Sequence, residues 1–304
     1  MAKKAFLVGI NTFTRPTYRL RGCINDTIAM KENLTSYFGF EEDEIKVVHD
    51  QDATRKGIRG GLNWLIEGAQ PGDVLVFHFS SHGTQVPDDS EDEMEVQDEV
   101  IVPYDHDWDN PFRDDHLRET FAAIPEGVNF TFIADCCHSG SIQRALLEQE
   151  IDFKPRYLQP PAKKRDRITE AYIKREDAAD AYAAEHLMEL LAEVPREQWK
   201  EKTKEYLALL RKQFRENKFR VVPYERHFLL AACEDRQTAA DAHLEGDYRG
   251  AFSWAISKTI REANGELTYD DLVRGVGGHL KDFDQIPQLE CPADVRVARL
   301  FAPL

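Results

Sequence analysis

The sequence predicts an α/β protein built on a mostly parallel sheet. Two observations predict it. Short, continuously apolar runs recur along the chain, as strands covered on both faces require. Between them lie stretches whose apolar residues return at helical spacing, and strands alternating with helices wind a parallel sheet. The runs are Phe6–Ile10, Ile45–Val48, Val74–Phe79, Val100–Val102, Phe130–Ala134 and His227–Ala232. Helices are expected at 24–38, 55–69 and 115–124, where apolar residues recur at helical spacing, such as Ile28, Leu34 and Phe38. The charged start of the chain turns apolar and then meets Asn11, which suits a first strand better than a leader peptide.

With 304 residues, 42% of them hydrophobic, the chain can bury one large core or two small ones. The net charge of −16 argues against a nucleic-acid partner, because phosphate neutralisation needs clustered Lys and Arg. Partners carrying positive charge fit better. No run approaches the roughly 18 apolar residues of a membrane span. The five cysteines, an odd number without framework spacing, suggest reduced thiols and a cytoplasmic setting. No C-x-x-C pair suggests structural zinc.

Three segments are expected: 1–143, 144–222 and 223–304. The middle one breaks the α/β pattern. It holds Pro155, Pro160 and Pro161, then Lys163, Lys164, Arg165 and Arg167, then polar helical patterns. It reads as an insertion made of a flexible basic loop followed by amphipathic helices.

Two strand ends carry chemistry. The first is Val-Phe-His-Phe-Ser-Ser-His-Gly at 76–83, and the second is Phe-Ile-Ala-Asp-Cys-Cys-His-Ser-Gly-Ser at 132–141. Ligands in α/β sheets bind beyond the carboxyl ends of strands, so His82 and Cys137 can meet there. A cysteine thiolate with a neighbouring imidazole is a sufficient nucleophile and base. The amides of Gly83 and Cys137 are candidates for an oxyanion hole. Cys136, the neighbour, is expected to face the core.

These segments resemble the His and Cys boxes of metacaspases, caspase-fold cysteine peptidases. Further stretches resemble the family in the same order: Leu-Arg-Gly-Cys-Ile-Asn-Asp-Thr at 20–27, Pro-Gly-Asp-Val-Leu-Val-Phe at 71–77, Gln-Asp-Glu-Val-Ile-Val-Pro-Tyr-Asp at 97–105, Leu-Leu-Ala-Ala-Cys at 229–233, Gly-Ala-Phe-Ser at 250–253 and Pro-Gln-Leu-Glu at 287–290. The resemblance implies a caspase fold: a mixed, mainly parallel sheet of about six strands flanked by helices, with a helical insertion between its large-subunit-like and small-subunit-like halves. It implies Cys137 as nucleophile, His82 as base, and an acidic pocket for arginine or lysine built from Cys23, Asp26, Ser80 and Asp135. A carboxylate at the base of a pocket pairs with a guanidinium or ammonium and repels acidic side chains. It also implies protein substrates with exposed Arg or Lys, a monomer, and no organic cofactor.

The stretch 88–115 holds 13 Asp or Glu against one base, Arg113. Calcium is a cation that prefers such carboxylates. Calcium-dependent metacaspases have an aspartate cluster that maps onto Asp98, Asp114 and Asp115. Their fourth aspartate falls at Arg144, a departure that weighs against calcium dependence. Lys163, Lys164, Arg165 and Arg167 are expected processing sites, cut by the enzyme itself or by an upstream protease, because exposed basic loops suit such a pocket. The rival expectations are a catalytically silent caspase-fold scaffold and a hydrolase of another bond type on the same nucleophile.

Overall fold

The structure is a computed structural model and describes residues 1–87, 97–137, 153–170, 191, 194–205, 227–232, 239–283 and 285–304. Six strands form the main sheet: β1 (Lys3–Gly9), β2 (Ile45–His49), β3 (Val74–Ser80), β7 (Asn129–Asp135), β9 (Phe228–Ala231) and β12 (Gln288–Glu290). Their order is β12-β9-β7-β3-β1-β2, and every pairing is parallel except β12 with β9 at the edge. Every residue of β3 and β7 is buried, which is why these central strands read as apolar runs.

Side chains alternate across the sheet, and the alternation sorts the core in two. Ala5, Leu7, Val74, Val76 and Ile133 pack with Met30, Leu34 and Phe38 of helix α1 (Cys23–Phe38). Ile28 of that helix is exposed instead, because six residues at about 100° each carry it away from the face of Leu34. Phe252, Ala255 and Ile256 of α4 (Ala251–Glu262) and Leu272 and Val276 of α5 (Tyr269–His279) complete that layer. The opposite face is aromatic: Phe77 lies 5.7 Å from Phe6, 4.7 Å from Phe132 and 6.2 Å from Phe121, ring centre to ring centre. Phe121 belongs to α3 (Asp114–Ala122), and α2 (Arg55–Ile66) brings Gly61 down onto the Phe6 ring. The same parity puts Ser80 and Asp135, the last residues of β3 and β7, on the α1 and α4 face.

Val100 and Ile101 do not join this sheet. They lie in β5 (Gln97–Ile101), antiparallel to the short β6 (Phe112–Arg113). A third sheet has the order β11-β10-β8, from β8 (Phe153–Pro155), β10 (Ala240–Leu244) and β11 (Asp247–Gly250). The remaining strand, β4 (Gly83–Pro87), leaves the end of β3.

The chain divides into two compact units, one of 1–85, 99–159 and 220–304, the other of 86–98 and 160–219. The two halves expected at 1–143 and 223–304 thus share one unit. The second unit takes up the chain at 160 rather than 144, because 153–155 is paired into a sheet of the first. Within the second unit, 162–170 is helical. The open basic loop expected there gives way to helix because Lys, Arg and Ala are good helix formers. The Pro161 carbonyl starts the helix by accepting from the Lys164 and Arg165 amides. A short turn, Arg196–Gln198, leads into a helical stretch over 199–205, and the Trp199 indole donates to the Val194 carbonyl at 2.8 Å.

Candidate active site

The parallel register sets Ser80 opposite Asp135. Two residues further along each strand come His82 and Cys137, so the sheet itself carries them to one place. The approach of the two strand ends is close: a Cβ on Gly83 would run into the carbonyl group of Cys137. Only glycine fits there.

The residues expected to form a basic-residue pocket gather around a residue of the chain itself. Arg156, the first residue after β8, is fully buried at 0% exposure. Its Nη2 lies 2.7 Å from Asp26 Oδ2 and 3.0 Å from Asp241 Oδ1, and its Nη1 lies 3.0 Å from Asp135 Oδ2. Nη1 also donates to Ser80 Oγ at 2.8 Å, and Ser80 Oγ donates in turn to Asp26 at 2.8 Å. Each carboxylate is fixed from behind by backbone. The Gly250 amide donates to Asp26, the Ser253 amide to Asp135, and the Arg21 and Gly22 amides to Asp241, at 2.8–3.0 Å. Gly250 is required to be small, since a Cβ there would strike Asp135 and the Arg156 guanidinium.

Burial pushes the Asp26 carboxyl up to about 7, against the pull of Arg156, and the Asp135 charge adds to the rise. Burial alone would lower Arg156, but Asp135, Cys23, Asp26 and Asp241 outweigh it and hold the guanidinium firmly protonated. Burial likewise raises the Cys23 thiol, which is near enough to Arg156, Asp241 and Asp26 to feel their charges. All four residues expected in the pocket, Cys23, Asp26, Ser80 and Asp135, therefore surround one guanidinium.

The Arg156 backbone is held as closely as its side chain. Its carbonyl oxygen accepts from the Gly83 amide at 3.0 Å and the Cys137 amide at 3.2 Å. Its own amide donates to the Ala239 carbonyl at 2.9 Å, and the Ala239 amide donates to Cys137 Sγ. Ahead of it, Phe153, Lys154 and Pro155 pair antiparallel with Ala242, Asp241 and Ala240. Behind it, Tyr157 bridges Gly83, the Leu158 amide donates to the Gly83 carbonyl at 2.9 Å, and Thr84 Oγ1 donates to the Leu158 carbonyl at 2.5 Å. The segment 153–158 is thus gripped on both sides of the Arg156–Tyr157 bond.

His82 Nε2 lies 2.7 Å from the Tyr18 carbonyl, which can only accept, so Nε2 carries the proton. Nδ1 is then an acceptor, and it has no partner among the described residues. Burial drives the His82 pKa down to about 3, against the Tyr18 hydrogen bond, and the charges of Lys154 and Arg156 lower it further. The ring is a neutral base near pH 7.

Asp114 opens α3 and pairs with Arg118 at 3.4 Å. Asp98 belongs to the second unit, and the side chain of Asp115 and all of Arg144 lie outside the described residues. Among the described residues, no three of His, Cys, Asp and Glu are placed to share a metal ion. Lys163, Lys164, Arg165 and Arg167 lie on the 162–170 helix of the second unit.

Sequence reasoning missed Asp241, Arg156 and the Tyr18 carbonyl. Asp241 had a signal: an acid set among Ala239, Ala240 and Ala242 has small neighbours suited to burial. Arg156 had one too, since Pro155 before it cannot continue a helix and favours an extended backbone, the form in which peptides dock against strands. The Tyr18 carbonyl had none.

Comparison with known proteins bears on what this machinery is for. A family model described as Metacaspase, peptidase C14 domain, matches residues 3–145. Metacaspase-9 of Arabidopsis thaliana is 30% identical over 315 residues, covering 96% of this chain and 94% of that protein. Metacaspase-1 of Schizosaccharomyces pombe is 29% identical over 314 residues, covering 97% of this chain and 69% of that one. The crystal structure of caspase-1 from Spodoptera frugiperda matches with a TM-score of 0.51 at 11% identity, over 95% of this chain and 86% of the other, a likeness of fold alone. Likeness along nearly the whole chain, joined to a caspase-like sheet, decides the matter: the protein belongs to the metacaspase family of cysteine peptidases.

Proposed function

We propose that the protein is an endopeptidase that cuts after arginine or lysine through Cys137 and His82, and that its own Arg156–Tyr157 bond is one that it cuts. The observation that carries the reading is Arg156, whose guanidinium fills the acidic pocket while its carbonyl accepts from the Gly83 and Cys137 amides. A substrate arginine would be held the same way.

The chemistry is acyl transfer. The Cys137 thiol gives its proton to His82 Nδ1 as sulfur bonds to the carbonyl carbon of the arginine. The carbonyl electron pair moves onto oxygen, where the two amides receive the charge. Collapse breaks the bond to the next residue's nitrogen, which takes the proton from His82. Water, deprotonated by His82, then hydrolyses the thioester and restores the thiol. The Tyr18 carbonyl keeps the base in the right tautomer throughout. Lysine fits by charge, but a single ammonium cannot span three carboxylates as a guanidinium does.

In the uncut chain, 153–158 fills the cleft, so other substrates enter only after this segment leaves. This replaces the basic run at Lys163, Lys164, Arg165 and Arg167 as the processing site that the geometry supports. The substrates are proteins presenting Arg or Lys in extended segments, and we infer that the enzyme works as a monomer in a reducing compartment. Among the described residues, no helix is long and apolar enough to cross a membrane.

The test is intact-mass spectrometry of the purified chain over time, with sequencing of the new amino terminus. A fragment beginning at Tyr157 is expected from the wild type and from Cys136→Ala, and none from Cys137→Ala or Arg156→Gln. A wild-type chain that stays intact and cuts no peptide after arginine would leave the silent scaffold as the better reading.

A further inference from the structure

Gly83 reaches both sides of the Arg156–Tyr157 bond. Its amide donates to the Arg156 carbonyl at 3.0 Å, and its carbonyl accepts from the Leu158 amide at 2.9 Å. That pair of bonds closes a parallel bridge between Gly83 and Tyr157. The next residue of β4 extends the grip. Thr84, itself buried, donates through Oγ1 to the Leu158 carbonyl at 2.5 Å. The Leu158 side chain is buried as well, at 7% exposure. Breaking the bond between Arg156 and Tyr157 removes none of these contacts on the amine side. The new amino terminus at Tyr157 therefore stays beside the thioester until Leu158 lets go.

A thioester passes its acyl group to whichever nucleophile reaches it. Water must come in along the path by which the amine went out, and a docked Tyr157–Leu158 pair stands on that path. Holding the amine there gives it a high effective concentration in competition with water. Resting on the reading of Arg156–Tyr157 as a bond that this enzyme cuts, we propose that β4 is a seat for amine-side peptides and that the enzyme joins peptides as well as cutting them. The acceptor is a peptide with a free amino terminus and an apolar second residue. In the joining step the amine nitrogen bonds to the thioester carbon as the carbon–sulfur bond breaks. One amine proton passes through His82 Nδ1 to the sulfur, so the Cys137 thiol is restored and no water is consumed. At the enzyme's own site the same step restores the uncut chain, and a cut becomes lasting only when Tyr157 and Leu158 leave β4.

The test uses the full chain after it has cut itself. It is given Phe-Lys-Pro-Arg with a fluorogenic leaving group as acyl donor, at about pH 8.5, where an amino terminus has lost its proton. The acceptor, in millimolar excess, is Tyr-Leu-Gln-Pro, the chain's own sequence at 157–160, or Tyr-Asn-Gln-Pro. Mass spectrometry reads the ratio of joined peptide to free Phe-Lys-Pro-Arg. Both products come from one thioester, so the ratio does not depend on how fast that thioester forms. The Leu acceptor should give a ratio about tenfold that of the Asn acceptor, the worth of one buried apolar side chain. Thr84→Val keeps the shape and loses the hydroxyl, and it should lower the ratio for the Leu acceptor about fivefold, the worth of one hydrogen bond. Free Phe-Lys-Pro-Arg as the sole product, or equal ratios for the two acceptors, overturns the proposal; so does a Thr84→Val ratio equal to that of the wild type. Failure of the underlying reading looks different: the fluorophore is not released, or a donor ending in Gln releases it as fast.

Discussion

Asp135→Asn changes charge and little else. Asp135 Oδ2 accepts from the Ser253 amide and pairs with Arg156 Nη1, both at 3.0 Å, while Oδ1 has no partner among the described residues. An asparagine can leave its oxygen in the first position and turn its NH₂ to the second, so the acceptor bonds survive. What is lost is one buried charge at about 4 Å from the centre of the guanidinium, on the order of 4 kcal/mol at an effective dielectric near 20. Part of that returns. The Asp135 charge helps to hold the Asp26 carboxyl up near 7, so its removal lets Asp26 ionise more fully at neutral pH. A net loss of about 2 kcal/mol remains, roughly thirtyfold in kcat/KM for an arginine substrate. The assay compares fluorogenic peptides ending in Arg and in Gln, with thermal melting to show that the fold is kept. The Arg peptide should lose about thirtyfold while the Gln peptide changes little. If Asp135→Asn still prefers Arg to Gln by the wild-type ratio, the pocket does not select by charge and the reasoning fails.

Asp26 makes the pocket pH-dependent with a defined sign. With Arg156 in the pocket, burial raises the Asp26 carboxyl to about 7, and only the ionised carboxylate pairs with a guanidinium, so the rate of self-cutting at Arg156 should climb as pH rises through that region. His82, held near 3, does not produce that limb; in Asp135→Asn the limb should move to lower pH, and an unmoved limb assigns it to another group. Gly83→Ala pushes a methyl group into the Cys137 carbonyl, which must displace one of the two amides that hold the Arg156 carbonyl. A loss of about a hundredfold in kcat is expected, and near-normal turnover would show that the Gly83 amide is dispensable.

Much of the fold was legible because burial on both faces writes itself into sequence. Val74–Phe79 and Phe130–Ala134 are largely apolar, as two covering layers demand, and both lie within central strands. Val100–Val102 reads equally apolar yet its first two residues lie in a small antiparallel sheet, because a short apolar run specifies burial and not partner. The His82 and Cys137 segments were legible for a related reason. Strands that end in small and polar residues end at a crevice, and the parallel register that sets Ser80 against Asp135 delivers both ends to the same one.

By itself, then, the sequence determined the sheet and the two strand ends and singled out Asp26 and Asp135, since local patterns of burial and charge, with the likeness of its motifs to a family, suffice for these. Only the tertiary structure decided which basic residue those carboxylates meet. Arg156 is one of many basic residues and lies far along the chain from Asp26 and Asp241, which meet its guanidinium from α1 and β10. The tertiary structure also decided which backbone carbonyl orients His82, because every residue has a carbonyl and no side chain at position 18 advertises its use. Contacts of this kind depend on where the backbone runs in space, and the order of side chains does not record that.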